Sequence, residues 1–234
     1  MHVGDGPERA AGARVRRRAF GAVRLLSAVV IVVCLIARYQ WGSAWVGPAD
    51  FFAYLTIESN VAFTVVAVIG GVVALRSGLD HPRLDAVRVV VLSFVVTAGA
   101  LFALIVQQSG ARGVRIDVPW SDIALHFVLP VVAVLEWILA PRSRRVSFRV
   151  LFVIVGYPVV WGILTMIRGP IVGWYPYYFL DPAQIGSPAE FLLLSGLMLA
   201  VFALIGVLLI AVPPRRRTAA PSSRTARAAR GPSG

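Results

Sequence analysis

Six stretches of this chain are each long and apolar enough to cross a bilayer, and that leaves few folds open. They are Phe20 to Ala37, Ala53 to Leu75, Val87 to Val106, Ile123 to Ala140, Val150 to Ile167 and Phe191 to Val212. A hydrocarbon core ~30 Å thick asks about 20 residues of a helix. The expected fold class is therefore all-α, a polytopic membrane protein with six transmembrane helices in one bundle. Composition agrees. Of 234 residues, 58% are hydrophobic and the mean hydropathy is +0.79, above the roughly half-apolar content of soluble domains. The loops are too short for a separate domain. The expected organisation is a disordered basic tail over 1–18, a six-helix domain over 19–212 and a disordered Arg-rich tail over 213–234. The first span follows an arginine cluster, but it outruns a signal-peptide core and no A-x-A site follows, so it is expected to be kept.

The net charge is +12. In a soluble protein that would suggest nucleic acid; here the positive-inside rule explains it, and no nucleic-acid partner is expected. Nineteen arginines lie in the two tails or beside the loops after the second and fourth spans. Four, Arg38, Arg112, Arg115 and Arg168, lie on the opposite side. That asymmetry places both termini in the cytoplasm and favours an even number of spans.

All 23 basic residues are arginine. Chemistry that needs a lysine Schiff base, with retinal or pyridoxal phosphate, is excluded. The one cysteine, Cys34, sits inside the first span; it forms no intrachain disulfide and reads as a small packing residue. No cofactor and no metal are expected, because His126 is the one histidine in the spans and a metal site needs several ligands.

An ionisable group inside hydrocarbon is costly and tends to be kept where it works. His126 is such a group, in Asp122-Ile-Ala-Leu-His126-Phe-Val-Leu-Pro130. Asp122, four residues earlier, shares its helix face and is placed to orient the ring. Pro130 lacks an N–H, so the carbonyl of His126 loses its helical partner and the helix is expected to kink there. At the start of the second span, Thr56, Ser59 and Asn60 form a polar face that must turn from lipid toward the bundle. Counting 1.5 Å per residue puts Thr56 and His126 both within roughly 5–8 Å of the outer boundary. A hydroxyl beside an imidazole is the minimal nucleophile–base pair for acyl transfer. Glu136 lies close to the inner boundary, where it snorkels or pairs with Arg142. Trp41, Trp45 and the run Trp174-Tyr-Pro-Tyr-Tyr178 suit the interfacial belt, and the latter, next to Arg168, is also a candidate lid.

Around these residues the chain resembles the bacterial six-helix membrane family called Pr-six-Pr. That family is similar, over nearly the whole membrane domain, to the androgen-induced family of eukaryotic membrane hydrolases, which cleave fatty acid esters of hydroxy fatty acids. Their threonine follows an aromatic-Leu pair at the start of the second helix, as in Tyr54-Leu-Thr56. Their histidine precedes a Val-Leu-Pro-type run in the fourth, as in His126-Phe-Val-Leu-Pro130. Glu58-Ser59-Asn60 departs from the eukaryotic pattern, as do the loop lengths. The resemblance implies a bacterial plasma-membrane lipid-ester hydrolase without a metal. Thr56 would be nucleophile, His126 base and Asp122 its orienting group. Arg168, Asn60 or Ser59 would be supporting groups at the carboxylate or oxyanion of a fatty acyl ester. The residues alone leave a second class open, a non-enzymatic transporter, channel or lipid-binding protein. They leave the oligomeric state open too.

Overall fold

Each apolar run becomes one helix in the computed structural model, which describes residues 5–76, 81–111, 117–142 and 144–215. The helices are α1 (Asp5–Gly42), α2 (Leu55–Arg76), α3 (Pro82–Ala111), α4 (Trp120–Leu139), α5 (Leu151–Val172) and α6 (Pro188–Ala211). Among the described residues there is no strand. All six helices are long and apolar enough to cross a membrane, as in a multi-pass membrane protein.

The expected disordered tail over 1–18 is corrected, since α1 already begins at Asp5. Ala10, Ala11, Ala13 and the arginines from Arg14 onward are strong helix formers, and extending an existing helix needs no new nucleus. Residues 216–234 of the C-terminal tail, and Arg112 and Arg115 of the third loop, lie outside the described residues.

Helix α3 is the hub, packing on α2, α4, α5 and α6, while α1 lies along α2. The α1–α2 approach is close because Gly21 and Gly71 face each other: a methyl group on Gly21 would stand 3.1 Å from the Gly71 carbonyl oxygen. Small residues at such crossings let helix backbones approach in a membrane. Cys34 is fully buried with Ile31, Leu125 and Leu129, the packing role expected of it.

Toward the end that carries the termini, the bundle is pinned by charge. Glu136 of α4 does not pair with Arg142. It accepts from Arg24 of α1 (2.8 Å) and from Arg88 of α3. Arg24 also donates to the Gly70 carbonyl of α2 (2.9 Å), and Arg88 reaches Asp85 (3.1 Å). Two arginines on neighbouring helices face inward at the depth of Glu136 and claim the carboxylate first. Arg142 instead lies 3.8 Å above the Trp137 ring and donates to the Val212 carbonyl at the end of α6 (3.0 Å). There it satisfies one of the acceptors a helix C-terminus leaves open. Desolvation holds its pKa below the usual arginine value.

Candidate functional site

Pro130 shapes the histidine site more than a simple kink would. Between Ala124 and Val128 helix α4 opens into a π turn, with His126 at its middle. The carbonyl that Pro130 cannot serve points across to α3. There it meets Gly99 so closely that a methyl group on that glycine would lie 2.1 Å from the oxygen. Gly99 is thus the residue that admits the opened turn; in the sequence it is one glycine among 21.

The ring of His126 is fixed from two sides. Phe102 stacks on it with centroids 3.9 Å apart and planes 11° from parallel. Its Nδ1 lies 2.9 Å from the backbone carbonyl oxygen of Asp122. A carbonyl oxygen only accepts, so Nδ1 carries the proton and Nε2 of the neutral ring is left as acceptor. The expected role of the Asp122 side chain is corrected. Its carboxylate pairs with Arg38 at the end of α1 (2.9 Å), and the backbone of the same residue does the orienting.

Thr56 sits in the first turn of α2. Ser59 Oγ and Asn60 Nδ2 both donate to its carbonyl oxygen, each at 2.9 Å. These two buried side chains brace the Thr56 backbone. Thr56 Oγ1 remains, with the phenolic oxygen of Tyr177 at 3.5 Å. Glu58, two residues on, accepts from Tyr157 of α5 at 2.6 Å. The start of α2 therefore lies beside the N-terminal half of α5. The loop before it and the loop after α5 fold back over it.

That second loop fills the space above Thr56. Tyr177 packs against Tyr54 (5.8 Å), Trp161 (5.8 Å) and Phe179 (5.5 Å). Tyr54 also meets Trp174 edge-on at 5.4 Å. Desolvation is the main cause that pushes the Tyr177 phenol up to about 12, so it stays protonated at neutral pH. Arg168 is engaged elsewhere: it pairs with Asp50 of the first loop and lies 5.8 Å from the Trp174 ring centroid, clasping the two loops together.

Thr56 and His126 line one cavity of about 460 Å³, within the range of small-molecule sites. Its wall is mostly hydrocarbon from α3, α5 and α6, including Phe94, Phe102, Met166 and Phe202. The polar side chains that join Thr56 and His126 in lining it are Tyr177, Trp161 and Ser195. Asp122, Asn60, Ser59 and Arg168 are not among the residues that line it. Sequence reasoning reads the run that holds Tyr177 as interfacial and as a candidate lid, but does not single out Tyr177 as a site residue.

Neither a protein-family model, a curated protein nor a solved structure matches this chain.

Proposed function

We propose that this protein is an intramembrane hydrolase of lipid carboxylic esters, with Thr56 as nucleophile and His126 as general base. The single observation that carries the reading is that both side chains line the same apolar cavity. The supporting geometry is chemical as well as spatial. The Nδ1–H of His126 is tied to a backbone carbonyl, so its Nε2 can accept a proton. A base so held needs no carboxylate partner to fix its tautomer. The cavity wall suits an acyl chain, and the buried polar groups supply the few directional contacts that position a carbonyl.

In this reading Thr56 Oγ1 attacks the ester carbonyl carbon and its proton passes to His126 Nε2. The carbonyl π pair moves to oxygen, then returns as the bond to the alcohol breaks. The alcohol leaves with the proton from His126. Water, deprotonated by His126, then attacks the acyl-threonine; the carboxylic acid leaves and Thr56 regains its proton. With positively charged loops inside, the cavity mouth belongs to the outer half of a bacterial plasma membrane.

The test uses purified full-length protein in lipid nanodiscs with fatty acyl esters. Thr56→Ala and His126→Ala each reduce turnover to background, and the double variant is no worse than either, because the two act as a unit. Thr56→Ser keeps part of the activity. A fluorophosphonate labels the native protein and not Thr56→Ala. Hydrolysis that persists in both alanine variants, or no hydrolysis and no labelling of the native protein, sinks the proposal. The second outcome, with lipid still bound in the cavity, favours a lipid-binding protein.

A further inference from the structure

An ester hydrolase must stabilise negative charge on the carbonyl oxygen, and the sequence offered Asn60 and Arg168 for that task. Neither lines the cavity: Asn60 Nδ2 donates to the Thr56 carbonyl, and Arg168 pairs with Asp50. We propose that Tyr177 is the catalytic residue that fills this role, its phenolic O–H donating a hydrogen bond to the oxyanion that forms when Thr56 attacks an ester carbonyl. This rests on the hydrolase reading above and goes beyond it, because the loop residue belongs to no part of the motif that suggested Thr56 and His126.

Four observations lead to it. The hydroxyl of Tyr177 stands 3.5 Å from Thr56 Oγ1, too long for a firm hydroxyl–hydroxyl hydrogen bond, so its proton is not locked onto the nucleophile. An oxyanion is held two bonds from the nucleophilic oxygen, which brings it within reach of a donor at that separation. Tyr177 lines the cavity together with Thr56 and His126. Its ring is held by Tyr54, Trp161 and Phe179, so the donor is placed before substrate arrives and need not reorganise during reaction. Finally, burial keeps the phenol protonated across the working pH range. A neutral phenol in an apolar site is a strong donor to a developing anion and carries no charge that would oppose entry of a lipid.

During the reaction the Tyr177 proton is shared and not transferred. It shortens its contact to the carbonyl oxygen as the π pair moves there, and relaxes as the pair returns and the alcohol departs. The proton that moves is the one exchanged between Thr56, His126 and the leaving alcohol.

The experiment compares native protein with Tyr177→Phe in nanodiscs, measuring kcat and KM on one fatty acyl ester. Affinity for the matching ether, which lacks the carbonyl, is measured beside them. Loss of one oxyanion donor lowers kcat about 10²–10³-fold. KM and ether affinity stay within about twofold, because the ring and its packing remain. Equal kcat in the two proteins overturns the role of Tyr177 and leaves the Thr56–His126 reading standing. Parallel loss of ether affinity and thermal stability also overturns it, since Tyr177 would then be a packing residue of the loop. A native protein with no ester turnover removes the hydrolase reading, and the proposal for Tyr177 falls with it.

Discussion

Replacing Gly99 by alanine tests the idea that a close backbone crossing sets the histidine in place. The added methyl would lie 2.1 Å from the His126 carbonyl oxygen, where real contacts stay above 3.0 Å. The obstacle is backbone on both sides, so no side chain can swing away, and α3 and α4 must part by about 0.9 Å at this point. Overpacking of this kind costs ~1–3 kcal/mol. In a chain of this size each kcal/mol moves Tm by ~2–4 °C, so a fall of about 2–12 °C is expected. The same shift carries His126 away from the cavity by nearly 1 Å, and a displacement of that size can cost ~10²-fold in rate. The matched control is Gly196→Ala on α6, where nothing lies within 4 Å of an added methyl. That variant gains helix propensity and keeps or slightly raises Tm. Thermal unfolding in nanodiscs, followed by tryptophan fluorescence, reads the stability, and ester turnover reads the displacement. If Gly99→Ala matches the control in both measurements, the crossing does not position His126 and the argument fails.

Three further outcomes are expected. Activity stays level up to about pH 10, because Tyr177 keeps its own proton up to about 12; a fall in activity with a midpoint between pH 8 and 10 would refute the neutral phenol donor. Stability does change at high pH: an unfolded tyrosine ionises near 10 and the folded one near 12, so Tm falls between those values, and Tyr177→Phe lessens the fall. Impermeant thiol reagents applied to intact cells should label cysteines placed at Ser43 and Ala183, and not one at Arg144, all in a Cys34→Ala background; the reverse pattern would invert the topology drawn from the arginine count.

The fold was legible because its signal is cumulative. A run of about twenty mostly apolar residues admits one structure in hydrocarbon, whatever their order, and six such runs take up about half the chain. The site was legible only in part, for a physical reason. Thr56 and His126 stand out as polar residues in apolar runs, so their lining of one cavity was open to inference. The partners of each polar group were not, since they depend on which helices cross and at what depth. Asp122 was paired with His126 by spacing along one helix, yet Arg38 comes from another helix and takes the carboxylate. Glu136 reads in the sequence as snorkelling or pairing with nearby Arg142, yet Arg24 and Arg88 arrive from α1 and α3. Tyr177 lies 121 residues from Thr56, and no local pattern reports such a contact.

These long-range partners divide the bundle into two regimes. At the end that carries the termini, the Glu136 carboxylate draws α1, α3 and α4 together, and Arg24 ties in α2 through the Gly70 carbonyl. Removing one member of such a buried set strands its partners at a cost of ~3–5 kcal/mol, so these four helices form a stiff frame. Toward the other end, α5 and α6 are the least buried of the six, and they contribute most of the cavity wall. Thr56 and His126, the proposed nucleophile and base, project from the frame, on α2 and α4, while the hydrocarbon wall comes largely from the looser pair. Reacting groups are best held rigidly, because catalysis depends on their separation. An apolar wall gains its contacts from area, which tolerates small displacements. The distribution of charge and packing along this chain follows that distinction.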